Sequence, residues 1–187
     1  MVIEAIKLAL KNMDQNYCKL SKKDYNEIEV TFKNKLKQEK YLERPIAYEF
    51  YHQLRKLIDI NCVDFGGPLI QAEVDKTYQH CFENGKMPDF IIHIPDTRRN
   101  LAVIEFKLAT RIKNDIREDI RKIVKFKTNP LLKYSYGVEV LLGDKNSLEN
   151  RRKDINDWNK TEGEEIIIIE FDTDSWNTDH SVIQFKE

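Results

Sequence analysis

The chain has 187 residues, 41% of them hydrophobic and 34% charged, with only 6 Gly and 5 Pro and a formal net charge of −1. This composition excludes collagen-like, low-complexity and disordered classes, and the length suits one domain against a typical size of about 150 residues. Charge so close to zero provides no whole-protein basic field, so any nucleic-acid binding must come from a local patch.

The chain opens Met-Val-Ile-Glu-Ala-Ile-Lys, with an acid at position 4 and no basic stretch before an apolar one; it does not read as a signal peptide, and a cytoplasmic protein is expected. A helix is predicted over residues 2 to 12. A second is predicted over 22 to 39, where Tyr25, Ile28, Phe32 and Leu36 recur at three- and four-residue steps opposite a highly charged face. Pro45 suits the first turn of a third helix running to about residue 60, with Ile46, Phe50, Leu54, Leu57 and Ile58 on one stripe. Asp64-Phe65-Gly66-Gly67-Pro68 is a turn cluster, and the hydrophobic period changes after it. Its Asp-Phe-Gly triplet matches a kinase metal-binding motif, but the chain lacks the length, glycine-rich loop and His-Arg-Asp triplet of a kinase.

Strands are predicted over 69 to 74, 88 to 94 and 101 to 108, the last two joined by a hairpin turn through Pro95 and Asn100. A helix over 114 to 126 follows, with Ile116, Ile120, Ile123 and Val124 inward. Next come a strand over 135 to 142, a charged helix over 147 to 158 capped by Ser147, and a strand over 165 to 171. The four isoleucines Ile166 to Ile169 imply burial of that last strand on both faces, and are far short of the roughly 20 apolar residues of a membrane span. The order predicts an α/β fold whose mixed sheet begins antiparallel and continues through parallel crossovers.

Cys18, Cys62 and Cys81 are odd in number, widely spaced and free of any CxxC pair, which indicates reduced thiols rather than a disulfide framework or a zinc ribbon. His80, Cys81, His52 and Cys62 lack zinc-ligand spacing.

Two carboxylates and a lysine stand out. Pro88-Asp89 opens one strand, and Glu105-Phe106-Lys107 closes its hairpin partner. Alternation puts Glu105 and Lys107 on one face, about 7 Å apart. If residue 94 pairs with 100, Asp89 lies opposite Glu105 on that face; pairing 94 with 101 puts it opposite Phe106, so a shared site demands the first register or a bulge. Asp89 and Glu105 then offer hard oxygens to Mg²⁺ or Mn²⁺, and Lys107 a compact positive charge beside a phosphate. The alternative is a strand-end ion pair of small energetic consequence.

After Lys107, basic residues accumulate at Arg111, Lys113, Arg117, Arg121, Lys122, Lys125 and Lys127 against Asp115, Glu118 and Asp119. Arg111, Lys113, Arg117, Arg121, Lys122 and Lys125 form a candidate phosphate-backbone footprint, which Arg98, Arg99 and Arg151-Arg152-Lys153 would extend. The alternative is a solvated helix face laced by pairs such as Glu118 with Lys122. Tyr48 and Tyr51, beside Glu49, read as packing or groove-lining residues rather than catalysts.

Pro88-Asp89 followed by Glu105-x-Lys107 on adjoining strands resembles the PD-(D/E)xK nuclease superfamily over roughly residues 45 to 142. The resemblance implies a restriction-endonuclease-like three-layer core, with a mixed central sheet flanked by helices at 45 to 172 and an N-terminal helical extension at 1 to 42, all in one domain. It implies a metal-dependent DNA nuclease in restriction, repair or mobile-element defence, with Asp89, Glu105 and Lys107 as the metal-binding and catalytic trio. Glu49 on the first core helix would complete the Mg²⁺ (or Mn²⁺) shell; otherwise it is a solvated helix residue. DNA is the expected partner, and cleavage of both strands by one site per subunit suits a homodimer. The rival is a non-catalytic module of the same fold that binds nucleic acid or protein.

Overall fold

Val2, Ala5, Ile6, Ala9 and Leu10 recur at helical spacing and are all buried in α1 (Val2–Lys11). The computed structural model describes residues 1–20, 40–73, 87–160 and 162–186. The expected helix over 22 to 39, and with it Val74, His80 and Cys81, lies outside the described residues.

A single turn, α2 (Gln15–Cys18), is capped by the Asp14 carboxylate, which accepts from the Asn16 N–H at 2.9 Å. The short strands β1 (Lys19–Leu20) and β2 (Lys40–Tyr41) pair antiparallel. In α3 (Glu43–Asp59), Pro45 occupies the first turn, where its missing N–H breaks no intrahelical bond, and Ile46, Phe50, Leu54 and Leu57 are buried. The chain then turns through Gly66 (φ +72°) and Gly67 (φ +105°), a backbone that L side chains resist.

β3 (Leu69–Ala72), β4 (Phe90–His93) and β5 (Asn100–Leu108) follow. After them come α4 (Lys113–Thr128), β6 (Tyr136–Gly143), α5 (Lys145–Trp158), β7 (Glu164–Asp172) and β8 (Asn177–Phe185). The six long strands form one sheet in sequence order from β3 to β8. Pairing is antiparallel through β5, parallel from β5 to β7, and antiparallel again between β7 and β8. The predicted change from antiparallel to parallel is present, and the fold is α/β.

Strand alternation divides the core in two. Ile104, Phe106, Val140 and Ile169 pack with Phe50 and Leu54 of α3 and Ile6 and Leu10 of α1. Val103, Leu141 and Ile168 pack with Ile120 and Ile123 of α4 and Ile155 of α5. The mixed sheet thus lies between helices on both faces, compatible with a three-layer core. α1 shares its apolar cluster with α3, so it belongs to that helical layer. On the other face, a Cβ at Gly137 would overlap the Ile123 side chain, so this glycine lets α4 lie close on the sheet. Among the described residues no helix is long and apolar enough to cross a membrane.

The turn α2 and the short strands β1 and β2 carry no prediction, and β8 and the start of α5 also differ from expectation. β8 carries no predicted strand, because Asn-Thr-Asp-His-Ser has no apolar alternation; as an edge strand it leaves most side chains in solvent and is held mainly by its ladder to β7. The cap of α5 is Asp144 rather than Ser147: its Oδ1 accepts from the Ser147 N–H and its Oδ2 from the Ser147 hydroxyl, both at 2.9 Å. These bonds, the backbone one first, hold the Asp144 carboxyl below its usual range. A depressed carboxyl stabilises the fold above its unfolded pKa of about 3.9, and that contribution disappears as pH falls through the folded value. Asp144→Ala is expected to lower unfolding free energy by about 1 kcal/mol at pH 7. Urea unfolding at descending pH should show the deficit narrowing below about pH 4; a deficit that widens there contradicts the capping role.

Candidate active site

The β4–β5 ladder pairs Phe90 with Ile104, Ile91 with Val103 and Ile92 with Ala102, then shifts so that His93 pairs with Asn100. Continued one residue past Phe90, the register sets Asp89 opposite Glu105. Residue 94 does not pair with 100, because Asn100 is opposite His93; the shift between Ile92 and His93 is the bulge that restores the alignment of Asp89 with Glu105. Asp89 does more than face β5: its Oδ2 accepts from the Phe106 N–H at 2.7 Å.

Around this point the sheet gathers charge. Glu105 is 2% exposed, and its Oε2 lies 2.8 Å from Lys122 Nζ of α4. Lys122 also sits 3.4 Å from Asp119. Lys107 Nζ lies 2.8 Å from Asp119 Oδ2 and 3.8 Å from Glu43 Oε1. Glu43, in the first turn of α3, uses its other oxygen to accept from the Leu108 N–H at 3.2 Å. Glu139 stands beside Glu105 in the parallel β5–β6 register and is fully buried; among the described residues neither of its carboxyl oxygens has a hydrogen-bond partner, nor does Glu105 Oε1.

Five carboxyl groups (Glu43, Asp89, Glu105, Asp119, Glu139) therefore meet two ammonium groups (Lys107, Lys122), and the electrostatics follow. Burial drives Glu105 and Glu139 well above the usual carboxylate range; Lys122 opposes the rise at Glu105, and neighbouring acids reinforce both. Burial also raises Asp89, against the pull of the Phe106 N–H. At Lys107 and Lys122 burial disfavours the charge, but Asp119 and Glu43 around the first, and Glu105 and Asp119 around the second, outweigh it and hold both protonated.

A buried cluster with more carboxyl groups than cations suits a hard divalent cation, which would meet the orphaned oxygen of Glu105. Among the described residues no three His, Cys, Asp or Glu side chains converge into a ready-made metal shell. Mg²⁺ commonly takes one or two protein carboxylates and completes its shell with water and phosphate oxygens, a smaller demand for which Asp89 and Glu105 are the candidate pair.

Asp89, Glu105 and Lys107 are thus brought together, but Glu49 is not. Its Oε1 accepts from the Asp14 N–H at 3.2 Å and from Gln53 Nε2 at 2.7 Å, tying α3 to α2. The reason is helical geometry: Glu49 is six residues beyond Glu43, about 9 Å along the axis and roughly 240° around it. Glu43 is the α3 acid at the cluster. Its signal was placement two residues before Pro45, at the helix end nearest the strand termini. Asp119 falls on the inward stripe of Ile116, Ile120 and Ile123, and Glu139 interrupts the apolar run of β6.

The basic helix also divides. Lys122 belongs to the interior cluster, Arg117 lies 6.0 Å from the Trp158 ring, and Arg121 pairs with Glu118. Arg111, Lys113 and Lys125 remain exposed. Of the suggested extensions, Arg152 pairs with Glu170 and Arg151 donates to the Ala109 carbonyl at 2.8 Å. Tyr51 stacks on Phe90, while Tyr48 is exposed.

Comparison of the chain with family models, with curated proteins and with solved structures gave no match.

Glu139 provides a direct check on its energetics. A buried carboxyl without partners costs about 1–3 kcal/mol, so Glu139→Leu is expected to raise unfolding free energy by that amount. Chemical denaturation measures it, and a loss of stability instead would mean that the carboxyl is engaged in the folded protein.

Proposed function

We propose that the protein is a metal-dependent DNA nuclease of the PD-(D/E)xK type, hydrolysing phosphodiester bonds at the cluster of Asp89, Glu105 and Lys107. The observation that supports this reading is the β4–β5 ladder: continued one residue past the Phe90–Ile104 pair it aligns Asp89 with Glu105, with Lys107 next on that face, among buried carboxyl groups in excess of their cations. Asp89, fixed by the Phe106 N–H, and Glu105 would hold Mg²⁺ or Mn²⁺, with Glu43 at its margin in the role first considered for Glu49. Such a cation polarises the phosphodiester and lowers the pKa of water. Lys107, kept protonated by Asp119 and Glu43, stabilises negative charge developing on the phosphate and orients the attacking water. Lys122 holds the second oxygen of Glu105 and limits repulsion within the cluster. Exposed Arg111, Lys113 and Lys125 supply phosphate contacts that carry no sequence information.

The pairing of both lysines with site acids favours a second reading, a binding module of this fold whose cluster is neutralised internally. Incubation of supercoiled plasmid and single-stranded DNA with the protein in Mg²⁺, Mn²⁺ or EDTA separates the two. The nuclease reading expects cleavage in either cation and none in EDTA. It also expects Ca²⁺ to raise the melting temperature, a ligand at 100 times its Kd adding about 2.7 kcal/mol. Neither cleavage nor a cation-dependent shift would favour the binding module.

A further inference from the structure

At the end of the sheet remote from the carboxylates, three loops line an open cavity of about 270 Å³. Phe65 and Pro68 of the glycine turn form one wall, Arg98 and Arg99 of the β4–β5 hairpin another, and Lys133 and Ser135 of the segment before β6 a third. Asn100 opens β5, and Lys107 lies seven residues further along that extended strand, about 23 Å away. The cavity is therefore separate from the acidic cluster.

Its charge has one sign. Arg98, Arg99 and Lys133 are exposed, and among the described residues none of their side chains is engaged by an acid. The nearest carboxylate in the glycine turn, Asp64, is occupied by the Gly66 N–H at 2.7 Å. Three exposed cations lining one concavity make a positive field that an anion would complete.

The walls are also held in place. Asn100, buried at the start of β5, donates from Nδ2 to the Leu132 carbonyl at 2.6 Å, and its own carbonyl accepts from the Ser135 N–H at 3.3 Å. These bonds fasten the Lys133 loop to the strand that follows Arg99. Lys133 itself has a left-handed backbone (φ +48°), an unfavourable conformation for a lysine that the anchored loop enforces.

We propose that this cavity is a phosphoryl-binding site. Two guanidinium forks and one ammonium match the charge and hydrogen-bonding geometry of a phosphate. The volume lies below the roughly 300–1,000 Å³ of pockets that enclose whole small molecules, so the site grips a phosphate while the rest of the ligand stays outside. The proposal does not depend on the nuclease reading, because neither the residues nor the test involve the acidic cluster.

The test is calorimetric titration in EDTA, which silences metal-dependent cleavage, with inorganic pyrophosphate and with a 5′-phosphorylated single-stranded oligonucleotide. Wild type is compared with the double variant Arg98→Ala, Arg99→Ala and with Lys133→Gly, a change that removes the cation and relaxes the backbone. Melting temperatures establish that the variants fold. Saturable binding of at least one ligand, weakened about tenfold or more in both variants, is the expected result. Tighter binding of the oligonucleotide would identify strand phosphates as the source, and equal binding free phosphate; both support the site. No saturable binding of either up to roughly 10 mM, or binding unchanged in both variants, overturns it.

Discussion

Lys107→Ala is expected to reduce metal-dependent DNA cleavage by about 10²–10³-fold, the loss typical of removing one preorganised group that stabilises transition-state charge. Asp89→Asn should be at least as damaging to activity while leaving the fold intact. The asparagine Oδ1 can still accept from the Phe106 N–H, but the charge that would attract a cation is gone. Single-turnover cleavage of a labelled duplex in Mg²⁺ measures both, with circular dichroism confirming folding. Glu49→Gln serves as the contrast, since its contacts lie with Asp14 and Gln53 and it should cleave like wild type. Equal activity in wild type and Lys107→Ala would remove the chemistry from the hairpin.

The largest expected loss of stability is at Phe106. Its ring is fully buried and sits 4.9 Å from Phe50 of α3 and 5.7 Å from Phe90 of β4, centroid to centroid, joining the helical layer to both hairpin strands. Phe106→Ala is expected to cost about 3–5 kcal/mol by combining lost burial with a cavity beneath the sheet. Equilibrium urea unfolding measures it. Phe106→Leu should lose distinctly less, and alanine and leucine variants of equal stability would contradict the packing account. The same residue carries the N–H that holds Asp89, so slackening here should also impair cleavage, and more steeply than a surface change of similar stability.

Periodicity made much of this architecture legible. Pro45, the isoleucine stripe of α4 and the isoleucines of β7 placed their elements within a few residues, because each segment is built from burial that leaves a regular spacing. β8 left no such mark, since an edge strand needs its backbone ladder more than an apolar face. The hairpin trio was readable because alternation is local to two strands joined by a short turn. Glu43, Asp119 and Glu139 were harder to find: they approach the trio from α3, α4 and β6, and that approach depends on how helices pack over the sheet, a long-range property. Glu49 illustrates the difficulty, being an acid on the right helix but on the wrong face. Charge counting on α4 likewise missed that Arg117 and Lys122 turn inward toward Trp158 and Glu105.

β5 outruns its neighbour. β4 begins only at Phe90, opposite Ile104, yet β5 continues to Leu108, and because the Ala109 N–H goes to Leu142 on the β6 side, the N–H groups of Phe106 and Leu108 face the vacated side. Carboxylates occupy that gap, Asp89 on Phe106 and Glu43 on Leu108, in place of the carbonyls of an absent strand. The two acids are thus also masonry: they finish the edge of β5 where the neighbouring strand stops, so removing either side chain would leave a backbone N–H without its acceptor.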